Sequence, residues 1–162
     1  MKNTKKLCAI AILTAMYTVL SAFLKIPFVG NIMLDLGYLA FAVALCEFGV
    51  WGAFVGAIGC ALESLLFSAY GFSISWFVAN LIIGIGCGLI FCHCKKFWMR
   101  AIAIVVFSAV GLLGAKTAIE CYLYSIPLLV KLPKNVTAFA VDAVVMLFGL
   151  GLHQYLRPKI KK

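Results

Sequence analysis

The chain has 162 residues, of which 65% are hydrophobic and 12% charged. A soluble domain of this size carries about 25% charged residues, and one core could not hide so much apolar surface, so a soluble globular fold is excluded and a bilayer takes the place of the core. The formal charge of +9 sits at the ends of apolar runs and forms no stripe, which excludes nucleic acid as its partner and points to the membrane surface.

The first apolar run spans Leu7 to Leu24 behind Lys2, Lys5 and Lys6. It is long for a signal peptide and no small-x-small cleavage site follows it, so an uncleaved first span is expected. Lys25 to Leu34, with Pro27 and Gly30, reads as a connection. The stretch from Asp35 to Phe67 is too long for one crossing, and Glu47, Phe48 and Gly49 divide it into spans at 35–47 and 50–67 joined by a tight turn. A fourth span is expected at 72–91, a fifth at 101–125 stopped by Pro127, and a sixth at 136–155. Lys131, Pro133 and Lys134 read as the loop between the last two. The fold expected is therefore an all-α membrane protein: a single transmembrane domain over 1–162, a compact bundle of about six helices.

Basic residues orient the bundle. Lys2, Lys5, Lys6, Lys95, Lys96, Arg100, Arg157, Lys159, Lys161 and Lys162 fall on one side, and only Lys25, Lys131 and Lys134 on the other. The excess marks the cytoplasmic side and places both termini there.

Five acids, Asp35, Glu47, Glu63, Glu120 and Asp142, are the most informative residues. Ionisable groups inside spans are costly and usually face a cavity or a partner. With a rise of 1.5 Å per residue, Asp142 lies about 10 Å below the outer end of its span and Asn80 about 12 Å below that of the fourth. Glu63, Lys116, Glu120 and Asp35 fall at the same level, in the outer half, and only Glu47 sits apart at the inner turn. Lys116 and Glu120, four apart, share a helix face; Ser73, Trp76, Asn80 and Gly84 form another stripe. The candidate substrate site is thus Asp35, Tyr38, Glu63, Trp76, Asn80, Lys116, Glu120 and Asp142. A purely stabilising ion-pair network is the alternative, but four acids against Lys116 alone do not balance. That surplus, with Trp76 as a stacking face, suggests a small heterocycle bearing amino or ring-nitrogen donors and disfavours plain carboxylates.

Gly52, Gly56 and Gly59, and Gly84 with Gly88, make small-residue faces for helix packing. Ala11 and Ala15 repeat that spacing in the first span. Gly114 to Thr117 resemble the end of a phosphate-binding loop, but Ala115 precedes the lysine and no strand leads into it, so the chain carries no ATP motor. Cys92, His93 and Cys94 are contiguous and cannot close a tetrahedral metal site. The odd count of seven cysteines argues against a disulfide framework. No metal, cofactor or catalytic constellation is expected.

Six short spans, the Ala11-x-x-x-Ala15 pattern, the outer polar groups and the stretch Leu36-Gly37-Tyr38 through Gly49, Trp51-Gly52 and Gly56-Ala57 together resemble the substrate-binding S components of energy-coupling factor (ECF) vitamin transporters. The resemblance covers nearly the whole chain. It implies a vitamin or related micronutrient bound at an extracellular-facing pocket, with the connection after the first span as its cap. It also implies docking through Ala11 and Ala15 onto a transmembrane coupling subunit driven by two ATPase subunits, in a bacterial plasma membrane. Two other readings compete: a small channel or proton-linked carrier, which would need polar groups through the full membrane depth, and a membrane enzyme using the buried carboxylates, which would need a nucleophile or metal beside them.

Overall fold

The computed structural model describes residues 2–29, 32–68 and 71–160. Helix α1 (Lys2–Phe23) is followed by strands β1 (Lys25–Val29) and β2 (Ile32–Asp35). Then come α2 (Gly37–Phe48), a 3-10 turn at Gly49–Gly52, α3 (Ala53–Phe67) and α4 (Ile74–His93). The chain continues through α5 (Phe97–Ser108), a π-helical segment (Ala109–Lys116), α6 (Thr117–Tyr124) and α7 (Leu128–Ile160). Five helical runs among the described residues are long and apolar enough to cross a membrane: 4–23, 37–67, 74–93, 97–124 and 128–157.

The second run folds back on itself, as its polar break suggests. Gly49 has φ +57°, in the left-handed region that a residue with a Cβ seldom adopts. Beyond it, a Cβ on Gly52 would lie 2.7 Å from the backbone nitrogen of Leu45, and one on Gly56 2.5 Å from the Phe41 ring. In a straight helix residues 45 and 52 would be about 10 Å apart. So α2 and α3 are an antiparallel pair joined at 49–52. The expected small-residue faces close the next contact: a Cβ on Gly84 would meet Ala53 Cα at 2.5 Å, and one on Gly88 Val50 Cα at 2.6 Å. Packing this close is how membrane helices gain dispersion energy when lipid removes the hydrophobic drive between them.

Two elements differ from the sequence expectation. The connection after α1 is a two-stranded antiparallel hairpin, pairing Lys25 with Asp35, Ile26 with Leu34 and Pro27 with Met33, so the chain is not wholly α-helical. Pairing between the two strands satisfies backbone groups that an open loop would leave to other partners. Second, Lys131, Pro133 and Lys134 lie inside α7 rather than in a loop. Pro127 accepts from the amides of Val130 and Lys131 and so opens the helix. Pro133 withholds the N–H that would bond the Leu129 carbonyl, a single loss at the first turns of the helix that membrane helices tolerate. Thr137 Oγ1 donates back to the Pro133 carbonyl at 3.0 Å. The span expected at 101–125 likewise starts earlier, at Phe97, and its helix ends at Tyr124, before Ser125 with φ +51° and Pro127.

Phe41, Leu45, Val55, Ile83, Ile104, Leu112, Met146 and Leu150 form the dry centre. Leu7, Val19, Leu65, Val106, Val110, Val144 and Phe148 point outward, as lipid-facing residues do. At the lower end of α2, Glu47 Oε1 meets His153 Nε2 of α7 at 2.5 Å. Glu47 was set apart from the outer group in sequence, and it pairs with His153 at the opposite end of α2 from Asp35 and Tyr38.

Candidate functional site

A cavity of about 380 Å³ opens between α1, β2, α2, α3, α4, α6 and α7. This is within the range of small-molecule sites, about 300–1,000 Å³. Of the eight expected site residues, Asp35, Tyr38, Glu63, Trp76, Lys116, Glu120 and Asp142 line it. Asn80 stands behind the lining. It is fully buried and its Oδ1 accepts from the Tyr38 hydroxyl at 2.9 Å, while its Nδ2 has no partner. Of the stripe Ser73, Trp76, Asn80 and Gly84, only Ser73 and Trp76 line the cavity.

One side of the cavity is a dense polar wall. Thr117 Oγ1 donates to the Leu112 carbonyl five residues back, at 3.0 Å, within the widened turns of the π segment. Such bulges rotate the residues that follow and recur at functional sites. Lys116, 4% exposed, reaches Glu120 Oε1 at 3.3 Å and donates to Asn135 Oδ1 at 2.5 Å. Its ammonium lies 4.3 Å from the centroid of the Trp76 ring. Asn135 Nδ2 donates to Thr117 Oγ1 at 2.9 Å and to Glu120 Oε2 at 3.3 Å. Lys131 Nζ stands 3.4 Å from the same Glu120 oxygen, and Ser75 Oγ donates to Glu120 Oε1 at 3.5 Å.

The opposite side is built from α1, β2 and α2. Asp35 Oδ1 accepts from Ser21 Oγ at 2.7 Å and from the Gly37 amide at 2.8 Å. It thus ties the hairpin to α1 and to the start of α2 while it faces the cavity. Tyr17, 2% exposed, also lines the space and packs edge-on against Tyr38 at 6.0 Å.

Sequence reasoning missed Asn135, Lys131, Lys134, Tyr17 and Ser64, all of which line the cavity. A signal for the α7 group was present: Lys131, Asn135, Ala138 and Asp142 follow one helix face. Reading Lys131 to Lys134 as a loop hid it. The omission changes the charge balance. The four acids face Lys116, Lys131 and Lys134, so the surplus is one and not three, and the argument against anionic ligands loses its ground. The stacking argument changes too, because the cation over Trp76 is the protein's own Lys116.

Ala11 and Ala15 take no part in the cavity. Both are exposed on α1, whose buried residues Thr14, Tyr17, Thr18 and Ser21 face the bundle.

The family model for ECF-type riboflavin transporter S components matches residues 1–153. Among solved structures, the fold is similar to that of the S-component for biotin from an ECF-type ABC transporter. The TM-score is 0.70 at 17% identity, over 97% of this chain and 93% of that one. At this identity the likeness is one of fold.

Proposed function

The chain belongs to the ECF-type riboflavin transporter S component family, and on that premise we propose that it captures a riboflavin-like flavin from outside the cell as the binding subunit of an ECF-type importer. It is a multi-pass membrane protein of vitamin uptake and not an enzyme. The observation that carries the flavin reading is the lining of the 380 Å³ cavity. Four carboxylates and three lysines nearly cancel, and Tyr17, Ser64, Ser73 and Asn135 add neutral donors and acceptors. A near-neutral polar pocket suits a neutral heterocycle with a polyhydroxyl chain, whose many O–H and N–H donors find carboxylate and hydroxyl acceptors. It favours neither a free cation nor a free carboxylate. Asp35, Tyr38, Glu63 and Asp142 are the residues proposed to meet the ligand, with Asn80 holding the Tyr38 hydroxyl from behind.

The remaining parts follow from the same reading. The α2–α3 reversal makes six crossings of the five apolar runs, so both termini lie in the cytoplasm of a bacterial cell, on the side of the basic excess. The cavity then opens outward, with the β1–β2 hairpin beside its mouth. The exposed Ala11 and Ala15 on α1 offer a smooth face to a transmembrane coupling subunit, itself driven by two ATPase subunits.

The test is titration of the purified, detergent-solubilised protein with riboflavin, followed by quenching of flavin fluorescence. Saturable one-to-one binding is expected, weakened about tenfold or more by Asp142→Asn or Glu63→Gln, the loss of one hydrogen bond to a charged group. A protein that ignores riboflavin but retains another vitamin through purification would refute the flavin assignment and leave the binding-subunit assignment standing.

A further inference from the structure

Lys116 and Glu120 look like ligand-binding residues, yet their bonding capacity is already used within the protein. An ammonium has three donors. Those of Lys116 are met by Asn135 Oδ1, Glu120 Oε1 and the face of Trp76. A carboxylate offers about four acceptor sites. Glu120 fills them with Lys116 and Ser75 on one oxygen and Asn135 and Lys131 on the other. Both residues are nearly inaccessible, at 4% and 6% exposure.

We propose that Lys116 is a specificity-determining positioning residue: its ammonium occupies the Trp76 face and neutralises Glu120, and so denies the pocket to aromatic cations without itself gripping the ligand. Without this lysine, the indole face would stand open beside the Glu120 oxygen that Lys131 does not hold, a better site for a flat cation, since a desolvated cation over Trp gains both from the ring quadrupole and from the nearby negative charge. The π segment ending at Lys116 is what turns the side chain inward, and Asn135 fixes its tip. The device therefore needs contributions from two elements far apart in sequence. This inference rests on the cavity being the ligand site.

The test compares riboflavin with 1-methylnicotinamide, a flat aromatic cation, on the whole protein in detergent. For Lys116→Met, the ratio of cation to flavin affinity should rise about tenfold over the parent. Lys116→Arg, which keeps a charge over the ring, should restore the parental ratio, and Lys116→Met with Glu120→Gln should abolish the gain. The indole emission of Trp76, isolated by difference against Trp76→Phe, should shift in Lys116→Met and return in Lys116→Arg. An unchanged affinity ratio in a folded Lys116→Met protein overturns the proposal. Should that variant not fold, Lys116→Gln makes the same comparison, and failure of both to fold assigns Lys116 to stability alone and overturns it equally. A parent that binds no flavin fails the flavin reading itself, whereas a parent that binds flavin while Lys116→Met gains nothing fails this inference only.

Discussion

Asn135 offers the sharpest test of the polar wall. It is 1% exposed and joins α7 to the π segment and α6 through three contacts: 2.5 Å to Lys116, 2.9 Å to Thr117 and 3.3 Å to Glu120. Replacement by Leu keeps the branched shape, though in a larger volume, and removes all three. Two of the contacts involve a charged partner, which on the scale of soluble proteins is about 1.5–3 kcal/mol each, and the neutral one is about 1. Interhelical hydrogen bonds in membranes average nearer 0.6 kcal/mol, because the unfolded chain in lipid finds other partners. Lys116 and Glu120 keep each other, which limits the loss further. Together these place Asn135→Leu at about 2–4 kcal/mol of destabilisation. The assay is reversible unfolding of parent and variant in mixed micelles, read by tryptophan emission, with Glu120→Gln and the double variant completing a cycle. The two changes should be strongly non-additive, since they share a network. A loss below about 0.5 kcal/mol, or simple additivity, would refute the network as a unit.

Two further outcomes are expected. Topology reporters fused after Lys6 and after Lys162 should read cytoplasmic and one inserted at the turn beside Ser125 external; a C-terminus on the other side would mean an odd number of crossings. Replacing both Ala11 and Ala15 by Leu should abolish vitamin uptake and assembly with the coupling subunit while flavin titration stays at parental affinity. Equal loss of flavin binding would assign these alanines to the interior of the bundle instead.

The spans were legible because the property that makes them is summed along the chain. Partition into lipid depends on local hydropathy, so each apolar run declares itself. The break at Glu47 to Gly49 was legible for the same reason, and Gly49 takes the positive φ that the reversal needs. The level of the acids followed from the helical rise, and the α-helical spacing of Lys116 and Glu120 from the period of the helix. All of this is one-dimensional information.

What the tertiary structure decided is what depends on partners distant in sequence. Lys131 and Lys134 looked like loop residues beside Pro133, because proline disfavours helices in isolation. Only the docking of α7 against α6, with Lys131 on Glu120 and Asn135 on Lys116, makes those turns helical and brings two more cations to the cavity. Trp76 and Lys116 lie 40 residues apart, and no periodicity along either helix could say that one caps the other. Asn80 belongs by spacing to the stripe of Trp76, but it is fully buried and holds the hydroxyl of Tyr38, so it stands behind the lining and not in it. Hydropathy and period determine that a helix forms, where it lies in the membrane and which residues share a side. How each helix is rotated, and therefore which charges meet, is a balance of close contacts among all of them, and it exists only once they are packed.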